Sequence, residues 1–397
     1  MPRPRTDDSH ADTTPKTKPI ITTAGVEEVV ARYQNAPFLA IDTEFMRERT
    51  YYPQLCLIQI SDGDFACCID PLAKDIDLTA LWELMRNPAI TKVFHAAHQD
   101  LEIFLNLMGE LPTPLFDTQI AAMVMGHGDQ VGYDRLIKGI LNHDIDKTSR
   151  FTDWSKRPLS ARQVDYALDD VIYLAKAYPI IVDELARKGR NEWLSDETTK
   201  LAAPDTYRTA PENAWQRIKI RNMKPVPLLR LMKLAEWREA EAQHRDLPRN
   251  RIMRDETLVD LAGSNPKSKG EFSKIRNFPG GNDGKLVNPV LRVLQMVEQL
   301  PDSALPAPTP RKAVKKPPVA VMELLRVLLK HVTDAEGVAP RLIASADDLE
   351  QLALDDDAPI KAMQGWRRDL FGEPALKLKN GKIALAVDQR RIRLIEL

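Results

Sequence analysis

The chain has 397 residues, long enough for two or three domains and a large buried core. It is 43% hydrophobic and 28% charged with a net charge of −1, so a uniformly basic nucleic-acid binder is excluded and any basic surface must be local. No run of 18 or more apolar residues marks a membrane span.

In chain order, residues 1–19 are polar and proline-bearing, MPRPRTDDSHADTTPKTKP, without the apolar stretch of a secretion signal; they read as a disordered tail. Residues 20–190 read as an α/β unit. Strands are expected at 38–42, 55–61, 64–69, 91–95 and 115–118, with helices at 24–34, 77–86, 98–108, 118–125, 132–140 and 160–188. The early strands follow one another closely around Asp62-Gly63-Asp64, while later strands alternate with helices, so the sheet is expected to be mixed. The three cysteines, Cys56, Cys67 and Cys68, sit in apolar strand-like runs without zinc spacing. They read as reduced core residues of a cytoplasmic protein.

Pro204, Asp205 and Pro211 punctuate residues 191–211, which read as a linker. Residues 212–300 are almost entirely helical in pattern, with helices expected at 214–219, 225–242, 255–262, 270–276 and 287–299. Residues 301–318 are rich in Pro, Ala and Lys and read as a second, extended linker. Residues 319–397 begin with helical periodicity at 319–331. They end in ALKLKNGKIALAVDQRRIRLIEL, where Asn380-Gly381 between alternating runs predicts a type I′ hairpin.

The chemistry lies in three blocks of the α/β unit, IDTEF (41–45), VFHAAHQDLEIF (93–104) and DYALDD (165–170). Phe38 to Ile41 form a buried-strand pattern that runs straight into Asp42-Thr43-Glu44. Alternate strand residues share a face, so Asp42 and Glu44 point to one place, where a cation would relieve their repulsion. Asp100 opens a helix after the strand ending at His95. Alone, it reads better as a complement to the helix dipole than as a metal ligand. Tyr166 and Asp170 are four apart on a helix and therefore share a face, with Asp165 and Asp169 turned toward solvent. A carboxylate cluster holding two metals about 3.5–4 Å apart is the usual clamp for in-line phosphodiester hydrolysis. Mg²⁺ suits it, because it binds through few carboxylates and keeps exchangeable waters.

These blocks resemble the three motifs of the DEDDy 3′→5′ exonucleases, and within them the bacterial ribonuclease D family. Asp42 and Glu44 match the first motif, Asp100 in HAAHQDLE the second, and Tyr166 with Asp170 the third, where tyrosine separates this branch from relatives with histidine. The flanks TEFMRERTYYPQLCLIQI, FDTQIA and DKTSRFTDWSKRPLS are also similar to that family. The resemblance implies a ribonuclease H-like exonuclease domain over 20–190 and two-metal hydrolysis by Mg²⁺, with Mn²⁺ as a substitute. Asp42 would bridge both ions, Glu44 and Asp170 would complete the nucleophile-side ion, and Asp100 would hold the other through water. Tyr166 would position the attacking water, and 5′-mononucleotides would leave RNA 3′ ends, above all those of tRNA precursors. No obligate protein partner is evident.

Residues 212–300 resemble an HRDC domain through WQRIKI, LLRLMKLAEWREAEAQHRDLPRNRIMRDETLVDLA and KIRNFPG. Fifteen Lys and Arg face nine Asp and Glu between Glu212 and Arg276, a local positive excess that suits phosphate contact. Residues 319–397 are more faintly similar to the C-terminal, HRDC-like part of ribonuclease D proteins. Candidate substrate contacts are Phe45, as a stacking ring or a packed one, and His95, as a contact or a satisfied core histidine. The loop 146–159 adds Lys147, Arg150, Trp154 and Arg157, either gripping a phosphate backbone or pinning the loop. Two other functions compete: a 3′→5′ DNA exonuclease with the same motifs, and a non-catalytic RNA-binding protein using the helical modules.

Overall fold

The computed structural model describes residues 18–306 and 316–397, apart from Lys147, Arg150, Phe151, Arg221, Asn282 and Asp283. The expected tail therefore falls almost wholly outside the described residues, and much of the second linker does too. The described chain divides into two compact units. One comprises residues up to Phe45, Leu55–Ala202 and Ala320–Leu397; the other comprises Met46–Gln54 and Ala203–Val319.

The first unit is built on a five-stranded sheet in the order β3-β2-β1-β4-β5. Its strands are β1 (Phe38–Met46), β2 (Gln54–Ser61), β3 (Ala66–Ile69), β4 (Thr91–Phe94) and β5 (Leu115–Asp117). β4 runs parallel to both β1 and β5, whereas β3 is antiparallel to β2. The sheet is mixed for the reason legible in the sequence: β2 and β3 are joined by a tight turn, and parallel pairs need a helical crossover. The helices are α1 (Thr23–Tyr33), α2 (Thr79–Arg86), α3 (His98–Met108), α4 (Thr118–Met125), α5 (Tyr133–Leu141) and α6 (Ala161–Arg187). Ser160 opens α6 with a reciprocal capping box to Gln163, which fixes where this 27-residue helix starts. The three cysteines are buried and free. Lys92 is fully buried in β4, and its ammonium donates to the carbonyls of Asn87, Ile90 and Thr113.

Residues 191–211, expected as a linker, instead open with a helix, α7 (Asn191–Leu201). Polar residues dominate it, so periodicity was faint, but Leu194 enters a core with residues of α4, α5 and α6 and with Ala339 and Leu342. The C-terminal residues thus belong to the first unit. They form α12 (Val319–Glu336), α13 (Pro340–Ile343) and α14 (Ala346–Leu354), and α15 (Gly365–Arg367) continues through a π turn into α16 (Glu373–Lys379).

A hairpin follows, β6 (Ile383–Asp388) with β7 (Arg391–Glu396). Its turn is Gln389-Arg390, both at positive φ, not Asn380-Gly381 as the sequence suggested. Gly381 ends α16 instead: its N–H bonds the Leu378 carbonyl and the Lys382 N–H bonds that of Lys377. Asn-Gly serves a helix C-terminus as readily as a hairpin, since both need a left-handed residue.

The second unit has its own helices, α8 (Pro225–His244), α9 (Arg249–Ile252), α10 (Asp255–Ser264) and α11 (Val287–Glu298), with 3₁₀ turns at Pro211–Arg217 and Lys269–Lys274. Leu231, Leu234, Leu258, Leu261, Phe272 and Val290 lie at the centre of its core. Tyr51, from the segment between β1 and β2, packs against that core. Its hydroxyl donates to the fully buried Glu239 and accepts from Arg249 at 2.9 Å and Gln243 at 3.1 Å. No described helix is long and apolar enough to cross a membrane.

Candidate active site

Three chain segments converge at the end of β1. The strand brings Asp42 and Glu44, the first turn of α3 brings Asp100, and α6 brings Tyr166 and Asp170. One carboxylate oxygen from each of Asp42, Glu44 and Asp170 lies within 4.8 Å of the others. Asp42, Asp100, Tyr166 and Asp170 line a cavity of about 320 Å³ together with Phe45, His95, Gln99 and Gln119.

The electrostatics explain why such a cluster is unusual. Burial lifts the Asp42 carboxyl to about 6. Asp100 is raised well above the ordinary carboxylate range, by burial first and then by the charge of Asp42. No described Lys or Arg forms an ion pair with Asp42 or Asp100. The donor set is therefore all oxygen, acidic and crowded, which fits a hard divalent cation.

A second layer holds these groups in place. Thr43 donates a 2.5 Å hydrogen bond to Asp100 Oδ1. The turn between β4 and α3 passes through Ala96, held at a left-handed φ of 59°. Asp117 holds that turn, accepting from the Ala96 N–H at 3.1 Å and the Ala97 N–H at 2.9 Å. The same carboxylate caps α4 through the Gln119 N–H at 2.7 Å. The Tyr133 hydroxyl donates to the Asp170 carbonyl at 2.5 Å, anchoring the turn of α6 that presents the Asp170 carboxylate. Thr43, Asp117 and Tyr133 gave no warning in the sequence. The only cue was that Thr43 sits between two site carboxylates and that Asp117 falls in the family-like FDTQIA flank.

The secondary candidates divide. Phe45 lines the cavity. His95 also lines it, yet its Nε2 lies 3.1 Å from the Val131 carbonyl and Nδ1 lies 3.0 Å from the Thr118 hydroxyl. Burial lowers its pKa, so it is a neutral, internally bonded wall residue and not a phosphate-binding cation. Trp154 is 2% exposed, its ring 6.2 Å from that of Tyr166. Arg157 spends its donors inside the protein, on Asp70 at 2.5 and 2.6 Å and on the carbonyls of Trp154 and Cys56 at 2.7 and 2.6 Å. In both residues these contacts favour pinning the loop, one of the two readings the sequence left open, over gripping a phosphate backbone. Lys147 and Arg150 lie outside the described residues.

The fold and the acidic cluster define a divalent-metal-dependent 3′→5′ exonuclease. The pattern of that exonuclease family matches residues 18–186, and the pattern of the HRDC domain matches residues 228–303. Ribonuclease D of Acidiphilium cryptum is 44% identical over 382 residues, covering 95% of this chain and 97% of its own. Ribonuclease D of Granulibacter bethesdensis is 45% identical over 363 residues, covering 90% and 91%. A crystal structure of Escherichia coli RNase D, described as an exoribonuclease involved in structured RNA processing, matches with a TM-score of 0.78 at 32% identity. That match covers 91% of this chain and 98% of the other. The chain belongs to the ribonuclease D family, and it is an enzyme, a 3′→5′ exoribonuclease that hydrolyses phosphodiester bonds.

Proposed function

We propose that this enzyme removes 5′-mononucleotides one at a time from RNA 3′ ends in the cytoplasm, with Mg²⁺ as its ion and tRNA precursors among its substrates. The observation that carries the reading is the convergence of Asp42, Glu44 and Asp170 within 4.8 Å, with Asp100 and Tyr166 lining the same cavity. Asp42, Glu44, Asp100 and Asp170 would hold two Mg²⁺ ions, for which Mn²⁺ would substitute. Bound there, such ions lower the pKa of a water and neutralise charge on the attacking and leaving oxygens.

The protein's own groups do the rest. Thr43 holds Asp100 by its short hydrogen bond, and Tyr133 holds the helical turn of Asp170. The Tyr166 hydroxyl orients the attacking water, and Phe45 stacks on the terminal base. In the second unit, Arg251, Arg254 and Arg276 border a groove of about 1150 Å³ that Asp255, Glu256 and Asp260 also line. Asp255 is paired with Arg238 and Asp260 accepts from the Arg276 N–H, and the arginines suit the phosphates of a folded RNA body.

The test incubates the full chain and Asp170→Ala with 3′-extended tRNA and with matched single-stranded DNA, with and without EDTA. Stepwise shortening of the RNA, abolished by EDTA and by the substitution, is expected. Equal or faster loss of DNA would replace the RNA assignment with a DNA exonuclease. Binding without shortening of either would make the protein a non-catalytic binder.

A further inference from the structure

The catalytic cavity shares a wall with a second cavity of about 260 Å³ in the same unit, because Ala96 and Gln119 line both. Two stretches of chain far apart in sequence build the second cavity. Ile120 and Met123 come from α4 and Leu201 from α7, and Arg341, Leu342 and Lys361 from the C-terminal segment.

The lining is two-sided in character, with apolar side chains on one hand and two cations on the other. Its two carboxylates are already engaged: Asp117 caps α4 and the Ala96 turn, and Glu197 is tied to Arg367. Arg341 is exposed, and among the described residues its guanidinium forms no ion pair. The Lys361 ammonium donates to the Arg341 carbonyl, which ties the two residues together where they line the cavity. A cavity lined by apolar side chains and by two cation-bearing residues matches a nucleotide, which has a flat base to bury and a phosphate to neutralise.

We propose that this cavity receives an RNA nucleotide at least two positions 5′ to the one being removed, which a diribonucleotide does not have. Arg341 and Lys361 take its phosphate, and Ile120, Met123 and Leu342 lie against its base. The C-terminal segment then belongs to the substrate site and makes cleavage sensitive to RNA length. The inference rests on the reading that an RNA 3′ end occupies the adjoining catalytic cavity.

The test compares the full chain with the double variant R341A/K361M, using a diribonucleotide and a 12-nucleotide oligouridylate. Losing two charge-assisted contacts should lower the ratio of kcat/KM on the 12-mer to that on the dinucleotide by at least about tenfold. The slope of log(kcat/KM) on the 12-mer against log salt should also flatten by about 0.7, as expected for the loss of one neutralised phosphate on a single strand. The charge-keeping pair R341K/K361R should recover most of both effects.

Equal losses on both RNAs with an unchanged salt slope would mean a structural role and overturn the proposal. So would an unaffected 12-mer. Binding of the labelled 12-mer and dinucleotide in EDTA separates the two readings. A wild-type chain that cleaves neither RNA, while the double variant still loses 12-mer binding selectively, would sink the catalytic reading and leave this site standing.

Discussion

Buried charge does opposite work in two regions of the first unit. In the catalytic cavity, burial raises the pKa of Asp42 and Asp100, and the charge of Asp42 raises that of Asp100 further. Where α7 meets the C-terminal segment, every buried charge is matched. Arg190 donates to the carbonyls of Val124 at 2.9 Å and Gly337 at 3.1 Å and lies over the Trp193 ring. Arg367 bonds the Leu342 carbonyl at 2.7 Å and pairs with Asp196 and Glu197, beside the stacked rings of Trp193 and Trp366. The first region holds destabilising charge that a cation can use, whereas the second uses charge to lock two parts of the chain together. Substitutions in the two regions should therefore separate activity from stability.

The largest expected effect is at Asp170. Asp170→Asn should cut RNA cleavage by at least about a thousandfold, while the thermal midpoint in EDTA stays level or rises. A fall of many degrees would show that the carboxylate serves the fold. At the other region, Arg367→Ala should destabilise by about 3 kcal/mol, because it removes the guanidinium that pairs with Asp196 and Glu197 and leaves a buried carbonyl without its donor. Residual activity per folded molecule should stay near wild type on a dinucleotide, and urea titration with activity measured below the transition checks both. Gly126 offers a steric version of the same experiment. It sits at φ 87°, and a Cβ there would collide with the Gly337 carbonyl. Gly126→Ala should cost about 2–4 kcal/mol by strain and overpacking, and an unchanged midpoint would show that the contact yields freely.

Smaller effects sharpen the comparison inside the cavity. Thr43→Val keeps the shape but removes the donor to Asp100, and should weaken Mg²⁺-dependent activity by about 10–100-fold. Titrating activity against Mg²⁺ would expose a higher metal requirement, and an unchanged curve would show that the bond is incidental. The smallest effect is the pH dependence of the metal-free fold. Asp42 moves from the ordinary 3.8 to about 6 on folding, so the fold disfavours its charged form. In EDTA, the wild type should lose stability as pH rises from 4 to 6, through the two values cited for Asp42, and Asp42→Asn should lack that share of the loss. Parallel melting curves for the two proteins across that window would contradict it.

Much of the fold was legible because local pattern and tertiary structure agree. α3 and α4 occupy the residues their apolar spacing predicts, and the five strands fall in the expected runs. α7 was hidden because its stability comes from Leu194 reaching a distant core, not from its own periodicity. The hairpin turn was displaced because Asn380-Gly381 satisfies a helix end as well as a hairpin. Arg157 and Trp154 looked like substrate contacts because a loop sequence does not show which donors are already consumed.

By itself, the sequence determined the residue types and spacings that put two carboxylates on one strand face and a tyrosine with a carboxylate on one helix face. Those are local consequences of backbone geometry, and they sufficed to indicate phosphodiester chemistry. Only the tertiary structure decided that these faces meet within 4.8 Å, and that Thr43, Asp117 and Tyr133 hold them there. It also placed residues 320–397 in the unit that carries the site. Such choices depend on long-range packing and on which buried polar groups find partners, and spacing along one chain records neither.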